Sequence, residues 1–529
     1  MIQLHSVKIK NDKCMIMQTM ERMRVNKKIE LNIEMKDFGP IIEGKISLKP
    51  LTLFVGPNNS GKSYAAMLIH SIYETYAPTI SIRDAPQHYP RNLFLSRDLA
   101  LHTIQKKFAN ERAALQEQIN NLGDSEEIEI PKPLLDKITT KILDKLYEQR
   151  LSKEILRSYA SPLNELIRIG KKSFGLRIGF DSDGVYVICK NKQLRIEKHP
   201  ESDVKIKVGM TIFGKGKRDI IQLSRGFRIS EEGDKYLIQI NRGWKEADEM
   251  SDLMDAIVRR CASNIFKKAA IPCYYLPAAR SGILQGHKAL TASMMKNAPL
   301  AGIEKFSGIP TFSGVVSDFI ASIIDMPERK GTFYPLAKEF EQELIKGEII
   351  VRTRDEYLYP EIRYNYHDAE IPLHRASSTV SELAPLFLYL KYIIEPGSIL
   401  IIEEPEAHLH PANQRILAKY LVRLIRKGVY IIITTHSEYL LEQLSNFIML
   451  SKIEPEKRVE EYGYAEDDYL ERDELAAYVF NLDKTKIGSR ITEVEITEED
   501  GISQEEFLKV HEVLYEETIK LRRYLDGDV

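Results

Sequence analysis

Leu51-Thr-Leu-Phe-Val-Gly-Pro-Asn-Asn-Ser-Gly-Lys-Ser63 is the stretch on which the fold turns. Its first part, Leu51 to Val55, reads as an apolar run of the kind a buried parallel strand requires. Gly56, Pro57, Asn58, Asn59, Ser60, Gly61, Lys62 and Ser63 then match GxxxxGK[ST] at every fixed position. A helical run, YAAMLIHSIYETY, follows. Strand, glycine-rich loop and helix in that order form a phosphate-binding loop. The glycines let backbone N–H groups curl around phosphate oxygens, and the helix adds its unpaired N-terminal donors and positive dipole end. Lys62 supplies a point charge for the β- and γ-phosphates, and Ser63 offers a hydroxyl to Mg²⁺. An ordinary glycine-rich turn is the competing explanation, and the complete match in this context disfavours it.

Hydrolysis also needs a metal anchor and a positioned water. The apolar run Ser398 to Ile402 ends in Glu403-Glu404, where strands of a parallel sheet present ligand-binding residues. Successive residues there point in different directions, so Glu403 is expected to face the Mg²⁺ shell and Glu404 the attacking water as general base. Glu403 replaces the more usual Asp, and its longer arm is expected to reach the metal through water. Taken alone, such a pair is also compatible with a solvated turn. His408 and His410 follow closely; a structural hydrogen bond from His410 is favoured over a metal site. The next strand ends in Thr434-Thr435-His436-Ser437. A neutral imidazole at His436 can sense a γ-phosphate, whereas a helix cap at Ser437 would explain Ser437 alone.

Around these motifs the chain is neutral and mixed. Its 529 residues hold 75 Lys+Arg against 77 Asp+Glu, a net charge of −2, which excludes a histone-like polycation or an acidic tail. With 43% hydrophobic and 29% charged residues it reads as globular. Cys14, Cys189, Cys261 and Cys273 share no pairing pattern, which suits a reducing cytosol and argues against a zinc knuckle. The longest apolar stretch, PLFLYLKYII at 385–394, is too short to span a membrane and is broken by Lys391. A soluble, cytoplasmic protein with no membrane partner is expected.

The pattern predicts an α/β P-loop NTPase head with a mixed sheet and flanking helices, interrupted by an insert. Residues 1–28 read as an N-terminal extension with several Met that could start the chain. Residues 29–90 form the first part of the head. Residues 91–270 form a helical arm, two long antiparallel helices within 92–168, plus a small antiparallel sheet within 173–243 and a helix through 246–268. Residues 271–450 complete the head. Within them SILIIEEP and GVYIIITTH flank an amphipathic helix, the alternation of a parallel sheet. Residues 451–529 read as an α/β extension of charged loops and one helix.

Three segments together, FGPI…ISLKPLTLFVGPNNSGKS, LIIEEPEAHLHP and IIITTHSEYL, resemble the ABC-type ATPase heads of the overcoming-lysogenization-defect group, abortive-infection ATPases and RecF/SMC-like proteins, AAA family ATPases whose heads an arm interrupts. The resemblance covers about 28–82 and 271–450. It implies ATP and Mg²⁺ as cofactors, and an ATP-dependent homodimer or higher oligomer in which a serine-containing helix start of one subunit closes the other's site. Ser378, in Ser377-Ser-Thr-Val-Ser-Glu382, is the candidate for that contact, although the glycines usual there are missing. Thr379 and Glu382 also fit a capping box. Arg280, in Leu276-Pro-Ala-Ala-Arg-Ser-Gly282, matches a P-x-x-R turn of such proteins and either lines the nucleotide or forms an ion pair. Gln87 is the nearest glutamine-loop candidate. Asp526-Gly-Asp528 reads as a frayed end, and the 79 residues after 450 are too few for the Toprim nuclease of lysogenization-defect proteins.

These features imply an ATP-hydrolysing switch in nucleic-acid-linked processes, anti-phage or plasmid defence above all, with a separate nuclease or toxin as effector. The alternative is a RecF/SMC-like DNA-repair or chromosome-maintenance clamp, with nucleic acid held along runs such as Lys205 to Lys217. A transporter subunit fits least, because the glycine pair is absent and the insertion is large.

Overall fold

The computed structural model describes residues 31–76, 109–121, 127–180, 184–190, 192–198, 205–210, 227–232, 235–240, 253–254, 257–258, 261–262, 265, 271–286, 312–352, 361–367, 369–483, 487–503 and 505–526. The expectations for 1–28, Gln87 and Gly527-Asp528 lie outside these residues, as do most of those for 246–268. The chain divides into two compact units. The larger draws on Met1–Ser71, Ile155–Phe174 and Pro272–Val529, and the smaller on Ile72–Glu154 and Gly175–Ile271. The expected insert is therefore not one continuous piece, since Ile155–Phe174 belong with the larger unit.

In the larger unit, β1 (Asn32–Phe38) and β2 (Ile41–Ser47) form an antiparallel hairpin that leads into β3 (Leu51–Val55). The phosphate loop follows, then α1 (Lys62–Tyr76). After the insert come β4 (Cys273–Leu276), α2 (Gly314–Ile324) and α3 (Tyr334–Leu344). A small antiparallel meander, β5 (Glu348–Arg352), β6 (Glu361–Tyr366) and β7 (Ala369–Pro372), precedes α4 (Ser378–Tyr392). Then follow β8 (Ile399–Glu403), α5 (Pro411–Arg426), β9 (Tyr430–Thr435), α6 (Glu438–Leu450), β10 (Leu475–Leu482), β11 (Ser489–Glu493) and α7 (Glu505–Asp526).

The strands of this unit lie in the order β4-β8-β9-β3-β10-β11-β2-β1. From β4 through β10 every neighbour is parallel, and β10–β11 and β1–β2 are antiparallel, so the sheet is mixed. The parallel strands are buried on both faces: every residue of β3 and β8 is buried, as strands covered by helices on both sides must be. The residues after 450 are no appendage. β10 pairs in parallel with the phosphate-loop strand, Val479 opposite Val55, and so sits in the middle of the sheet. The polar, turn-rich text around this strand hides it, because its register is set by contact with β3 rather than by its own periodicity.

The core gathers β3, β8 and β9 against α3, α4, α5 and α6. The apolar stretch once weighed against a membrane span is α4, buried from Val380 to Lys391. Lys391 is fully buried, with Nζ 2.7 Å from Glu341 and 2.8 Å from the Ile349 carbonyl. Its charge is thus paired within the fold, as burial requires. No described helix is long and apolar enough to cross a membrane.

The smaller unit contains the helix Ala109–Asn120 and a second run, Lys132–Asp144, that continues through a π-helical stretch, Lys145–Leu151. A short strand, Glu127–Glu129, lies between them. The anticipated single antiparallel sheet resolves into two groups. Gly184–Lys190 pairs antiparallel with Gln193–Lys198. In the second group, Lys205–Met210 pairs in parallel with Lys235–Ile240 and antiparallel with Glu127–Glu129. Alternation alone cannot tell these directions apart.

Candidate nucleotide-binding site

Register brings the motifs together. Val55, the last residue before the phosphate loop, lies opposite Thr435; Thr434 lies opposite Glu403; Ile402 lies opposite Leu276. Three sequence-distant strands therefore end side by side at one edge, carrying the phosphate loop, the acidic pair and the histidine.

The loop itself needs its glycines. Gly56 has φ +139°, and a Cβ there would meet the Phe480 carbonyl oxygen at 2.8 Å. Gly61 has φ +97° and would press Pro40 at 2.9 Å. Both conformations and both spaces are open to glycine alone. Pro57, Asn58, Asn59 and Ser63 are exposed, whereas Ser60 is buried and its carbonyl accepts a hydrogen bond from the Ser489 hydroxyl. Lys62 is buried, and its ammonium donates to the Gly56 and Pro57 carbonyls, each at 2.9 Å. Burial lowers its pKa, while Glu404, Glu406 and Glu403 push it back up. Three carboxylates thus act on one ammonium.

Glu403 is buried at the end of β8, and one carboxylate oxygen accepts from the Ala278 N–H at 3.0 Å. Its other oxygen is buried without a well-formed hydrogen bond, and the Tyr275 hydroxyl, whose pKa burial and this carboxylate raise, is its polar neighbour. Glu404 turns outward at φ +42°, an uncommon conformation for a non-glycine residue. Its N–H is held by the Thr434 carbonyl at 2.9 Å and by the Thr434 hydroxyl at 3.2 Å. The two neighbours therefore do point apart, one carboxylate buried and one half-exposed. His436 Nε2 lies 3.8 Å from Glu404 Oε1. Burial and the nearby Lys62 lower the imidazole's pKa, with Glu404 opposing them.

Two further acids, Glu406 and Glu382, complete the arrangement. One oxygen of Glu406 accepts from the Thr435 hydroxyl at 2.7 Å and from the His436 N–H at 2.9 Å, while the other is buried without a partner. Burial raises its pKa, against the pull of those bonds. The third acid of Glu403-Glu404-Pro405-Glu406 was the available signal. Glu382 had been read as half of a capping box with Thr379, and that reading is corrected. The N-cap of α4 is Ser377, whose hydroxyl accepts from the Val380 N–H at 3.3 Å, and Thr379 donates to the His408 carbonyl at 2.9 Å. Glu382 turns inward, accepting from the Arg280 and Ser281 N–H groups at 3.0 Å each.

Arg280 is 1% exposed. Its guanidinium donates to the carbonyls of Glu403 at 2.6 Å, Glu382 at 3.1 Å, Pro277 at 3.2 Å and Glu404 at 3.3 Å. The guanidinium also lies 3.4 Å from the Glu382 carboxylate, so of the two roles open to it this is the ion-paired one, and it clamps the backbone that presents the acidic pair. Ser378 is exposed on the first turn of α4. No hydrogen bond ties it to Lys62, Glu403, Glu404 or His436 among the described residues. His410 caps α5, its Nδ1 accepting from the Ala412 N–H at 3.3 Å, and Ser437 caps α6, accepting from Leu440 at 3.1 Å.

A family model described as AAA ATPase domain matches residues 28–441. The chain belongs to this AAA ATPase domain family. No curated protein matches it. Among solved structures, this AAA ATPase domain protein is similar to an SMC head bound to the C-winged helix domain of ScpA, at 12% identity over 88% of this chain and 98% of that one, with a TM-score of 0.36. It is also similar to the SMC head domain from Thermotoga maritima, at 11% identity over 89% and 100%, with a TM-score of 0.28. An SMC head with an extended coiled coil, bound to the C-terminal domain of ScpA and derived from Pyrococcus furiosus, matches at 11% identity over 92% and 99%, with a TM-score of 0.34.

Proposed function

We propose that the chain binds and hydrolyses ATP and acts as a nucleotide-driven switch. The observation that carries this reading is the meeting of Lys62, Glu403, Glu404 and His436 at one sheet edge, with Lys62 under the influence of all the neighbouring acids. The residues fit the groups they would hold. The backbone of Gly56 to Lys62 is a cradle that any Cβ at Gly56 or Gly61 would fill. The buried oxygen of Glu403 that lacks a well-formed hydrogen bond suits a cation's shell, with the Ser63 hydroxyl as a second ligand. Bound there, Mg²⁺ would neutralise phosphate charge. Lys62 binds phosphate oxygens by exchanging its carbonyl partners for them. Glu404, half-exposed and steered by Thr434, orients and deprotonates a water. His436, kept neutral, donates its one ring N–H to an oxygen of the terminal phosphate. ATP rather than GTP follows from the family.

In this reading two heads associate when ATP is bound, with Ser378 on the exposed first turn of α4 completing the partner's site. A nuclease or toxin encoded separately acts as effector in defence. The motif resemblance to lysogenization-defect and abortive-infection heads supports that finer assignment.

Phosphate release and nucleotide affinity test the core claim. Lys62→Ala is expected to weaken ATP binding by about 10- to 100-fold, the worth of charged hydrogen bonds. Glu404→Gln is expected to keep binding and lose about 10²- to 10⁴-fold in turnover, the range of a general base. Undiminished turnover in both variants would refute it.

A further inference from the structure

We propose that α7 is a self-association surface that pairs antiparallel with the same helix of a second copy of this chain, independently of nucleotide. Of residues 513–524 in this helix, all but Ile519 are exposed. Four of the exposed residues are large and apolar along one side: Val513 is 64% exposed, Leu514 54%, Leu521 60% and Tyr524 76%. At 3.6 residues per turn, Leu514 and Leu521 nearly superpose, as do Val513 and Tyr524, so the four fall within a strip about 100° wide. Ile519, the partly buried residue, lies on the other side of the helix. Tyr515, 68% exposed, lies on that other side with Ile519, so the strip of four is separate from it. An exposed apolar strip of this kind marks a contact surface.

The charges within the strip and along its edge select the occupant. Glu516 and Glu517 precede the midpoint of the segment, whereas Lys520, Arg522 and Arg523 follow it. Among the described residues, none of the five makes an ion pair. A second helix running antiparallel and crossing near Thr518 and Ile519 brings Glu517 level with the other copy's Lys520 and leaves Glu516 within two residues of the level of both Lys520 and Arg523. The same crossing brings Val513 level with the other copy's Tyr524 and Leu514 within two residues of the level of its Leu521. A parallel, in-register pairing would instead set each acid against itself. Flanking charges of this kind fix the orientation of paired helices. The partner whose charge pattern complements Glu516, Glu517, Lys520 and Arg523 is the reversed copy of the same segment. Joined through α7, two chains would remain together between turnover cycles, so that closure of their heads becomes an intramolecular event.

The test is the mass of the full chain in solution without nucleotide, measured by analytical ultracentrifugation from low to high micromolar concentration. A dimer is expected, and Leu521→Glu is expected to leave a monomer. The double variant Glu516→Lys/Glu517→Lys alone should also be monomeric, as should Lys520→Glu/Arg523→Glu alone. An equimolar mixture of the two doubles should restore a dimer. All substituted residues are exposed, so an unchanged circular dichroism spectrum is expected to accompany each loss. A wild-type monomer at every concentration would overturn the proposal. So would a dimer that survives Leu521→Glu, or one that forms only with ATP and is lost in Lys62→Ala. Monomeric behaviour with intact ATP turnover would sink this inference while leaving the nucleotide assignment standing.

Discussion

Glu406 sets the position of the histidine without facing solvent itself. Its single engaged oxygen holds both the Thr435 hydroxyl and the His436 N–H. Glu406→Ala removes both acceptors and is expected to lower kcat by about 10²-fold, as a 1 Å displacement of a catalytic group can. ATP affinity should change little, and Glu406→Gln, which retains an acceptor, should recover most of the rate. Equal losses from both variants would show that the charge, not the positioning, matters. His436 offers a second residue-scale expectation. Its pKa is lowered below the usual 6.5 by burial and by Lys62. The folded protein therefore favours the neutral ring, and protonation is resisted until the pH falls below that value. Acidification from pH 6.5 downward should cost stability until the folded imidazole itself titrates. An NMR titration should give its midpoint below 6.5; a midpoint at or above 6.5 contradicts the geometry. At this scale much of the site was legible, because Lys62, Glu403, Glu404 and His436 sit in motifs whose residue types are dictated by phosphate chemistry. Glu406 and Glu382 were not, because a buried acid and a solvated acid look the same in one dimension.

Among the elements, β10 and α4 carry the largest consequences. β10 occupies the position beside β3 that the sheet needs in order to hold the phosphate loop, and Phe480 lines the back of Gly56. Removing residues 471–529 should therefore abolish soluble folding, whereas a dispensable extension would leave an ATP-binding fragment. Expression and circular dichroism of the truncated chain decide between these. α4 is buried almost throughout, and the Lys391–Glu341 pair is fully enclosed. Glu341→Leu should destabilise by about 3–5 kcal/mol, because it leaves Lys391 with Glu348 at 3.4 Å as its remaining carboxylate and orphans the buried Ile349 N–H, whereas Glu341→Gln, which keeps an acceptor for that N–H, should cost less. Denaturant unfolding of both variants checks the contrast. The apolar run of α4 announced a buried element, but its polar tethers became visible only once α3 and β5 were packed against it.

For the whole molecule, the division into two units places the nucleotide-site residues entirely in the larger one. That unit is assembled from segments at opposite ends of the sequence, Val55 and Thr435 being neighbours in register. Local motifs were enough to point to phosphate binding and to the class of fold. A phosphate loop can be written only with glycines at fixed positions and a lysine and hydroxyl after them, and alternating strands and helices imply a parallel sheet. The tertiary structure alone decided which segments share that sheet. The strands after residue 450 entered its centre, Ile155–Phe174 rejoined the larger unit, and Arg280 and Glu382 became an internal brace. The physical reason is that motif chemistry is local, set by a few adjacent residues around one ligand. Strand order, burial of charge and the satisfaction of buried polar groups depend on contacts between residues hundreds of positions apart, which no local pattern encodes.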